Sequence, residues 1–384
     1  MKKIYIIMDK LQKGQAGGLV ATYVSLVELL KDTYNFEIVS ISNSGSEIDD
    51  RFPGIHIKNV SSFDIYPSLG KMKEQFRTKH ILLGLANVIK LFLYFLYIPV
   101  SRLKLKYYFE DDSIIIASCP AAAMFLPAKC KFILEVHANY DFFWKGNILQ
   151  RLQIKLMQKP ILTLFRTKSE MNKAKKVMNA GYVYNFYDDH QTSDILEIDE
   201  EIRQHSIIYM GRLVEEKNPF MLIECAKKLQ KKYPDFKLDI YGTGPLYERM
   251  QEEIQKFHLE ENVNLKGFTE NKTVYKNYSV EWLTSKFEGF GLVIIEAKAC
   301  GVPTISTEWG DAVKEVISDK QDGYIVNSSD EFVDKTIGLW ENETLLKEMS
   351  KQAQINFKKF GPAKAKEKWI RILEDYSNKY LTSK

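Results

Sequence analysis

The sequence has few cysteines, and their placement excludes most roles that depend on this residue. The four are Cys119, Cys130, Cys225 and Cys300, and their separations fit neither a zinc knuckle nor a CxxC redox motif. Each lies in or beside an apolar run. Because free cysteines in such runs are usually buried, we expect reduced thiols, as in a cytoplasmic protein.

A strong net charge and an obvious membrane segment are also lacking. The 384 residues carry a formal net charge of +4, which is too small to favour nucleic acid as the partner. The apolar run Ile4–Met8 ends at Asp9 and is too short for the core of a secretory signal. The stretch 81–100 is interrupted by Asn87 and Lys90, so it falls short of the roughly 20 uninterrupted apolar residues of a membrane span.

Short aliphatic runs alternate with stretches of helical period along the chain. The predicted strands extend from Ile4–Met8 to Ile161–Phe165 in the first half and from Ser206–Met210 to Tyr324–Val326 in the second. This alternation predicts an α/β fold built from parallel βαβ units. The length favours two domains at about 150 residues each.

The alternation breaks once, in a polar and acidic interval, and this break places the domain boundary. We predict a first Rossmann-like domain over 1–183, a linker over 184–204 and a second Rossmann-like domain over 205–362. The tail 363–384 has helical period. In open sheets of this kind, ligands bind where the carboxyl ends of strands meet helix N-termini.

The most specific motif runs from Glu288 to Glu296 and follows a predicted strand. Glycines here let backbone amides approach a ligand closely, and the helix that begins near Leu292 presents unpaired N–H groups that suit a phosphate. A diphosphate on the helix with a carboxylate on each side describes a nucleotide-sugar site. The residues between the glutamates are Gly289, Phe290, Gly291, Leu292, Val293, Ile294 and Ile295. The alternative is a solvated loop glutamate and a helix surface charge.

A second motif contains two cations after the strand Ile207–Met210. Arg212 and Lys217 are five residues apart and can clamp a diphosphate, Arg212 through forked hydrogen bonds and Lys217 as a point charge. The alternative is a solvated basic turn paired with Glu215 and Glu216.

Three further features gave weaker signals. Gly242 and Gly244 follow a strand, but Tyr247 occupies the third glycine position of a dinucleotide fingerprint. A tight turn is the preferred interpretation, and binding of the nucleotide donor by these two glycines is the alternative. Gly17-Gly18 precedes a helix and offers either a simple turn or backbone amides for a ligand. His137 follows a strand, where a ligand role competes with a structural one.

The chain contains no two aspartates at positions i and i+2. Metal-dependent sugar transferases commonly hold a divalent ion on the diphosphate with such a pair. We therefore expect no metal and no cofactor here. Arg212, Lys217 and the helix N-terminus would supply the positive charge.

Taken together, these motifs resemble the retaining glycosyltransferases of family 4, which have the GT-B fold. The resemblance covers nearly the whole chain and is densest over 206–326. The Glu288–Glu296 element matches the family signature, and GRLxxxKN at 211–218 and the Gly242 turn lie at the expected places upstream. Asn185 and Asp188 fit an Asn-x-x-Asp loop before the second domain.

The resemblance implies roles for these residues. Glu288 would hydrogen-bond the transferred sugar, Glu296 would hold the ribose, and Arg212 and Lys217 would neutralise the departing diphosphate. The amides of Phe290 to Leu292 and of Gly18, with Gly17, would assist, and His137 would touch the sugar or the reacting region. Two domains would face each other across a central cleft, and the helix 363–384 would cross back onto the first domain.

The implied activity is retaining, metal-independent transfer of a hexose or N-acetylhexosamine from a nucleotide-sugar, with UDP expected as the nucleotide. The acceptor would be a hydroxyl of a glycan, a lipid-linked saccharide or a wall polymer of a bacterial envelope. The chain departs from the family pattern at Phe186, Thr284 and Lys298. It also has Trp309-Gly310-Asp311 in place of the usual Gly-Gly loop, which is expected to reshape the pocket and leaves the donor sugar open. Two alternatives remain: a catalytically silent GT-B subunit that supports a partner transferase, and a nicotinamide-dependent oxidoreductase, which the failed fingerprint disfavours.

The segment 71–108 predicts peripheral contact with an anionic membrane. Lys71, Lys73, Arg77 and Lys79 precede an apolar stretch, and Arg102, Lys104 and Lys106 follow it. Basic residues flanking aliphatic and aromatic side chains suit an interfacial element on the inner face of the cell membrane. The alternative is a buried helix with solvated basic flanks.

Overall fold

The computed structural model describes residues 1–11, 18–42, 52–65, 75–77, 80–138, 140–146, 148–187 and 205–381. The chain divides into two compact units. Unit 1 comprises Met1–Val183 together with Lys366–Lys384, and unit 2 comprises Tyr184–Ala365. In the predicted linker, Tyr184 and Tyr187 pack against a hydrophobic cluster of unit 2, and 188–204 lie outside the described residues.

Unit 1 contains a parallel sheet of seven described strands in the order β3-β2-β1-β4-β5-β6-β7. The central strands are almost wholly apolar and buried, because helices cover both faces of a parallel sheet. The edge strand β3 is short and largely exposed, so its apolar signal is too weak to be recognised in the sequence. The strands are β1 (Lys3–Met8), β2 (Asn35–Ser40), β3 (His56–Asn59), β4 (Ile114–Ala117), β5 (Ile133–Val136), β6 (Leu162–Phe165) and β7 (Ala180–Tyr182).

Six helices of unit 1 lie between these strands in the described chain. One of them, α6, begins with a conventional cap, because the Thr167 side chain accepts a hydrogen bond from the Glu170 amide. The helices are α1 (Gly18–Leu30), α2 (Ile81–Leu105), α3 (Pro120–Ala123), α4 (Tyr140–Lys145), α5 (Ile148–Leu156) and α6 (Lys168–Ala174).

Helix α2 is the one described helix long and apolar enough to cross a membrane by length and composition. Its C-terminal part packs into the unit 1 core through Tyr94, Ile98 and Leu105. Most of its large apolar side chains are nevertheless exposed: Ile81, Leu82, Leu83, Leu85, Val88, Ile89, Phe92, Leu93, Leu96, Val100 and Leu103. An apolar surface of this size on one helix is unusual for a soluble monomer.

Unit 2 contains a parallel sheet of six strands in the order β10-β9-β8-β11-β12-β13. The strands β8 and β11, which precede the two strongest motifs, are neighbours in this sheet. The strands are β8 (Ser206–Met210), β9 (Lys237–Tyr241), β10 (Val263–Gly267), β11 (Val280–Leu283), β12 (Thr304–Thr307) and β13 (Gly323–Val326).

The helices of unit 2 cover this sheet. Helix α11 begins with a complete capping box, in which Ser328 and Glu331 satisfy each other's backbone amides. The helices are α7 (Phe220–Gln230), α8 (Tyr247–Lys256), α9 (Leu292–Ala299), α10 (Val313–Val316), α11 (Ser329–Trp340) and α12 (Glu343–Phe357), with single 3-10 turns at Glu215–Lys217, Lys272–Asn277 and Lys358–Phe360.

The last helix, α13 (Pro362–Tyr380), groups mostly with unit 1. The Lys131 ammonium donates to the Tyr380 carbonyl at 2.5 Å, and the Lys368 ammonium lies 4.5 Å from the centre of the Tyr182 ring. Trp369 is buried on the same helix. The predicted α/β class with two parallel-stranded sheets is confirmed.

None of the four cysteines forms a disulfide in this fold. Cys225 and Cys300 are buried, and Cys119 and Cys130 are half-buried. Burial raises the pKa of the Cys130 thiol to about 12. A thiol with a raised pKa is a poor nucleophile, so packing accounts for these residues.

Candidate functional site

The N-terminus of α9 lies just after the carboxyl end of β11. Gly291 caps the helix with φ +81°, a left-handed conformation that glycine adopts without strain. The Ile294 amide donates to the Gly291 carbonyl at 3.0 Å, whereas the amides of Leu292 and Val293 donate to no described residue, and no acidic side chain occupies the first turn. The turn is therefore free to receive an anion through its backbone.

The side chain of Phe290 does not belong to this amide surface. It is buried in a cluster with Trp309 and Phe360. Only its backbone is available beside Gly289, Gly291 and Leu292. The sequence element thus combines a packing anchor with the ligand-facing amides.

Lys217 and Glu288, which the sequence places in separate motifs, are in direct contact. The Lys217 ammonium pairs with Glu288 Oε1, and Ser285 Oγ donates to the same oxygen at 2.7 Å. Their side chains are 18% and 9% exposed, so the pair is partly shielded from water. The contact forms because β8 and β11 are neighbours and their carboxyl-end loops meet.

Two hydrogen bonds to backbone carbonyls hold these loops together. Thr284 Oγ1 donates to the Lys217 carbonyl at 3.1 Å, and the Lys286 amide donates to the Glu216 carbonyl at 2.9 Å. Thr284 departs from the proline usual in the family that the sequence resembles. Its hydroxyl gives a physical reason for the change, because it fixes the turn that carries Lys217.

Arg212 follows the same strand but is exposed. No hydrogen bond or ion pair joins its guanidinium to another described residue. Its backbone carbonyl accepts from Tyr209 Oη at 3.4 Å and from the Val214 amide at 3.0 Å. Its guanidinium is therefore available to an anion in the turn after β8.

The Gly242 and Gly244 turn packs directly on the turn after β8. A Cβ at Gly242 would lie 1.8 Å from the Gly211 carbonyl oxygen, and one at Gly244 would lie 2.4 Å from the Leu213 carbonyl oxygen. These glycines are required by the close approach of two backbones. The interpretation as a tight turn accounts for both without a ligand.

Glu296 lies in the second turn of α9 and is paired with a cation that the sequence did not single out. Lys272 Nζ is 2.9 Å from Glu296 Oε2, and the glutamate side chain is 12% exposed. Lys272 begins a 3-10 turn. No sequence motif identifies Lys272, because its position beside Glu296 depends on how the 3-10 turn packs against α9.

A buried carboxyl lies beneath this pair. Glu281 on β11 is fully buried and accepts hydrogen bonds from Tyr275 Oη at 3.0 Å and from Thr304 Oγ1 at 2.7 Å. Burial raises the pKa of Glu281 to about 8, and the nearby Glu296 charge adds to the effect. Glu281 is therefore protonated at neutral pH, and this avoids a second negative charge behind Glu296.

In unit 1, Gly18 begins α1, while Gly17 lies outside the described residues, as does Asp188 of the predicted Asn-x-x-Asp loop. Asn185 of that loop is buried in unit 2. His137 lies directly after β5, and its side chain is 18% exposed.

His137 belongs to a compact polar group, here called the His137 network, which consists of Tyr23, Glu135, His137 and Arg166. Arg166 Nη2 lies 2.6 Å from Glu135 Oε1 and 2.8 Å from His137 Nε2. Tyr23 Oη donates to Glu135 Oε2 and lies 3.5 Å from His137 Nε2. Tyr23 lies on α1 and Arg166 directly follows β6, so no local pattern around His137 indicates these two partners.

The positive charge of Arg166 keeps Glu135 ionised and His137 neutral in this network. Although burial opposes it, the Arg166 guanidinium and the hydrogen bond from Tyr23 hold the pKa of Glu135 at about 2. Burial and the Arg166 charge lower the pKa of His137 to about 4. The network therefore contains a carboxylate, a guanidinium and a neutral imidazole at neutral pH.

The described residues contain no group of three or more His, Cys, Asp or Glu side chains that could hold a metal ion. Two lysines form ion pairs with the predicted glutamates of this motif, Lys217 with Glu288 and Lys272 with Glu296. Each predicted glutamate thus has a lysine partner.

Comparisons with known proteins agree with this architecture. Residues 194–356 match the family model of the glycosyl transferases group 1. The chain is 29% identical over 175 residues to the poly(glycerol-phosphate) alpha-glucosyltransferase of Bacillus subtilis, covering 44% of this chain and 26% of that protein. It is 29% identical over 223 residues to the amylovoran biosynthesis glycosyltransferase AmsD of Erwinia amylovora, covering 57% of this chain and 62% of that protein. The chain thus matches between about a quarter and three fifths of the length of these relatives.

The fold matches solved glycosyltransferase structures over nearly the whole chain. A mutant of Staphylococcus aureus TarM, solved in complex with fondaparinux, alpha-GlcNAc-glycerol and UDP, superposes with a TM-score of 0.74 at 16% identity, covering 97% of this chain and 100% of that chain. Both units therefore have the architecture of the GT-B fold, and the region 194–356 is similar to the glycosyl transferases group 1.

Proposed function

We propose that the protein is a retaining, metal-independent glycosyltransferase of family 4 type that transfers a hexose or N-acetylhexosamine from a UDP-sugar. One observation carries the proposal. The Lys217–Glu288 pair meets the open N-terminus of α9 at the carboxyl ends of β8 and β11, and Glu296 lies one turn further along the helix. Cations, free amides and two carboxylates are the groups that a diphosphate joined to a ribose and a sugar requires.

Each group has a role in the proposed reaction. The α9 amides and the Arg212 guanidinium bind the diphosphate, and Lys217 shares its charge between the diphosphate and Glu288. Glu288 accepts hydrogen bonds from the transferred sugar. Glu296 accepts from the ribose hydroxyls while Lys272 holds its carboxylate in place.

These residues favour departure of the diphosphate. As the bond to the anomeric carbon breaks, negative charge grows on the leaving phosphate oxygen, and Arg212, Lys217 and the helix N-terminus stabilise it. The anomeric carbon gains oxocarbenium character. The acceptor hydroxyl attacks it from the face that the diphosphate leaves, so the anomeric configuration is kept. The proton of this hydroxyl passes to the departing phosphate oxygen.

Thermal unfolding against UDP-, GDP- and ADP-sugars, with and without EDTA, tests the donor. A ligand at about a hundredfold over its Kd adds about 2.7 kcal/mol of stability. We expect a shift with UDP-sugars that EDTA leaves unchanged. A shift that requires a divalent ion would contradict metal independence, and no shift with any nucleotide-sugar would favour a silent subunit.

Two substitutions test the roles of the carboxylates. Glu288→Ala is expected to lower kcat by about 10²–10³, since it removes a preorganised partner of the reacting sugar. Glu296→Ala is expected mainly to raise the KM for the donor. The anomeric configuration of the product, read by NMR, decides between retention and inversion. Small and equal effects of both substitutions would contradict the assignment.

We propose an envelope glycan, a lipid-linked saccharide or a wall polymer as the acceptor. The relatives support this class by name, since one is a poly(glycerol-phosphate) glucosyltransferase and another serves amylovoran biosynthesis. Transfer of radiolabelled sugar to poly(glycerol-phosphate), compared with a lipid-linked saccharide, tests the two kinds of acceptor. Donor hydrolysis without transfer to either would contradict the class.

We also propose that the protein works at the inner face of the cell membrane, which α2 contacts from the cytoplasmic side. The part of α2 before Tyr94 has only Gly84 buried. This part extends over about 20 Å at 1.5 Å per residue, which is too short to cross a hydrocarbon core of about 30 Å. The rest of the helix packs into the unit 1 core. An interfacial position therefore suits the part before Tyr94 better than a membrane-spanning one.

The charge of the segment 71–108 also favours an anionic membrane as the partner. The segment 71–108 contains eight Lys or Arg residues and one acidic residue, Glu74. A basic, apolar helix attracts anionic headgroups and inserts its apolar side chains at the interface. The attraction is expected to weaken as salt is added.

Co-sedimentation with phosphatidylglycerol vesicles tests this contact. Ile89→Glu on α2 is expected to reduce binding strongly, because Ile89 is 59% exposed. Ile355→Glu, on the exposed face of α12, is the matched control and should bind as the parent does. Equal binding by both variants, or no binding by the parent at low salt, would contradict membrane contact.

A further inference from the structure

The hydrogen bonds of the His137 network determine which nitrogen of the imidazole carries the proton. Arg166 Nη2 is 2.8 Å from His137 Nε2. A guanidinium has donors and no acceptor, so this contact is a hydrogen bond only if Nε2 is the acceptor. In a neutral ring, the proton then lies on Nδ1.

The competing tautomer has no comparable partner. With its proton on Nε2, His137 could donate only to Tyr23 Oη at 3.5 Å, which is long for a hydrogen bond, or to Glu135 Oε2 at 3.7 Å, which is beyond hydrogen-bond range. That arrangement would also direct the N–H toward the Arg166 guanidinium. Glu135 is already bonded to Arg166 and Tyr23, so it does not need His137 as a donor.

The doubly protonated ring is disfavoured for an electrostatic reason. A cationic His137 would place two positive groups 2.8 Å apart in a buried setting. The lowered pKa of His137, about 4, agrees with this arrangement. Among the described residues, Tyr23, Glu135 and Arg166 are the titratable or charged side chains that contact the ring.

We propose that Arg166 is a positioning residue that, with Glu135, fixes His137 as the neutral Nδ1–H tautomer, so that His137 presents a hydrogen-bond donor to a ligand oxygen. No hydrogen bond joins Nδ1 to another described residue, and the ring is partly exposed. Nδ1 can therefore donate a hydrogen bond, but it has no free lone pair with which to accept a proton.

This inference rests on the proposed function for the identity of the ligand, a hydroxyl oxygen of a sugar. It also restricts the mechanism. A donor fixed in this way cannot remove the proton from an acceptor hydroxyl, so His137 is not the general base. Deprotonation by the departing phosphate needs no such base in unit 1.

NMR of the protein labelled with ¹⁵N in its six histidines tests the inference without any substrate. The His137 signals are assigned by their loss in His137→Asn. We expect a protonated Nδ1, an unprotonated Nε2 and no titration between pH 8 and pH 5. A proton on Nε2, or titration near pH 6.5, would overturn the proposal.

Variants of Arg166 separate positioning from a structural role. In Arg166→Met, His137 loses the cation and keeps the Glu135 carboxylate, so its pKa is expected to rise above 6.5. Should this variant fail to fold because Glu135 is left unpaired, the double variant Glu135→Gln with Arg166→Met removes both charges. In that variant the two tautomers should mix and the pKa should rise from its parental value. Parental tautomer and pKa in a folded variant would overturn the role of Arg166.

Activity supplies a second readout. The amide of Asn can place an N–H near the position of Nδ1, whereas the amide of Gln reaches the position of Nε2. We expect His137→Asn to keep more of kcat than His137→Gln, with a loss of about tenfold in the latter, as for one missing hydrogen bond. The reverse order would contradict donation from Nδ1. Absence of transfer by the parent protein would contradict the proposed function and leave the NMR result intact.

Discussion

Removing Lys217 should weaken nucleotide binding more than the loss of one cation explains. Lys217 contacts Glu288 directly, so Lys217→Ala removes a positive charge and also exposes a carboxylate beside the proposed diphosphate position. A charge-assisted hydrogen bond contributes about 1.5–3 kcal/mol. A carboxylate about 6 Å from a phosphate charge adds about 2.8 kcal/mol of repulsion at an effective dielectric constant of about 20.

The sum predicts that Lys217→Ala raises the Kd for UDP by about 10³ or more. Arg212→Ala should raise it by only about 10–100-fold, because Arg212 has no carboxylate partner among the described residues. Adding Glu288→Gln to Lys217→Ala should recover about tenfold or more of the lost affinity. Isothermal titration calorimetry with UDP, which needs no acceptor, measures the Kd of all three variants.

Two results would refute this reasoning. Equal losses in Lys217→Ala and Arg212→Ala would show that Glu288 is not exposed to the diphosphate. No recovery in the double variant would show that the Lys217–Glu288 contact does not shield the ligand. Thermal unfolding of each variant without UDP serves as the control for folding.

Three further predictions concern the support of this site. Gly242→Ala should lower the thermal midpoint by several degrees, since its Cβ would lie 1.8 Å from a carbonyl oxygen, whereas Gly338→Ala, with open space around its Cβ, should not. Glu281 has a folded-state pKa near 8, above its unfolded value near 4.5, so the folded state binds more protons between these values. Stability should therefore fall as pH rises from about 5 to 8, and urea unfolding of Glu281→Gln should lose that slope. Lys298 and Asp322 form a fully buried ion pair at 2.5 Å, and Lys298→Met should cost about 3–5 kcal/mol in urea unfolding because it leaves the Asp322 carboxylate buried without its cation. A cost under about 1 kcal/mol would contradict the last prediction.

Local patterns in the sequence were sufficient for most secondary structure. Buried parallel strands such as β4 and β8 are continuous aliphatic runs, and their period separates them from helices such as α7. Elements with weak patterns were missed. The exposed edge strand β3 has little apolar content, and α12 carries a mixed surface that gives no clear stripe.

The candidate site was predicted only as separate motifs. Glu288 and Glu296 could be recognised because a strand, glycines and a helix N-terminus surround them within a few residues. Lys217 could be recognised from its own motif, but its contact with Glu288 depends on the order of strands in the sheet. The roles of these residues stay predictions until the binding experiments are made.

Local patterns in the chain specify which segments become strands and helices, where glycines let the backbone turn, and which charged residues follow the strands. Which charges meet depends on how these segments pack. Lys272 reaches Glu296, and Arg166 reaches Glu135 and His137, through contacts between segments 24 to 31 residues apart in the chain. The physical reason is that periodicity and propensity act over a few neighbouring residues, whereas an ion pair or a tautomer depends on distances of a few ångströms that packing alone sets.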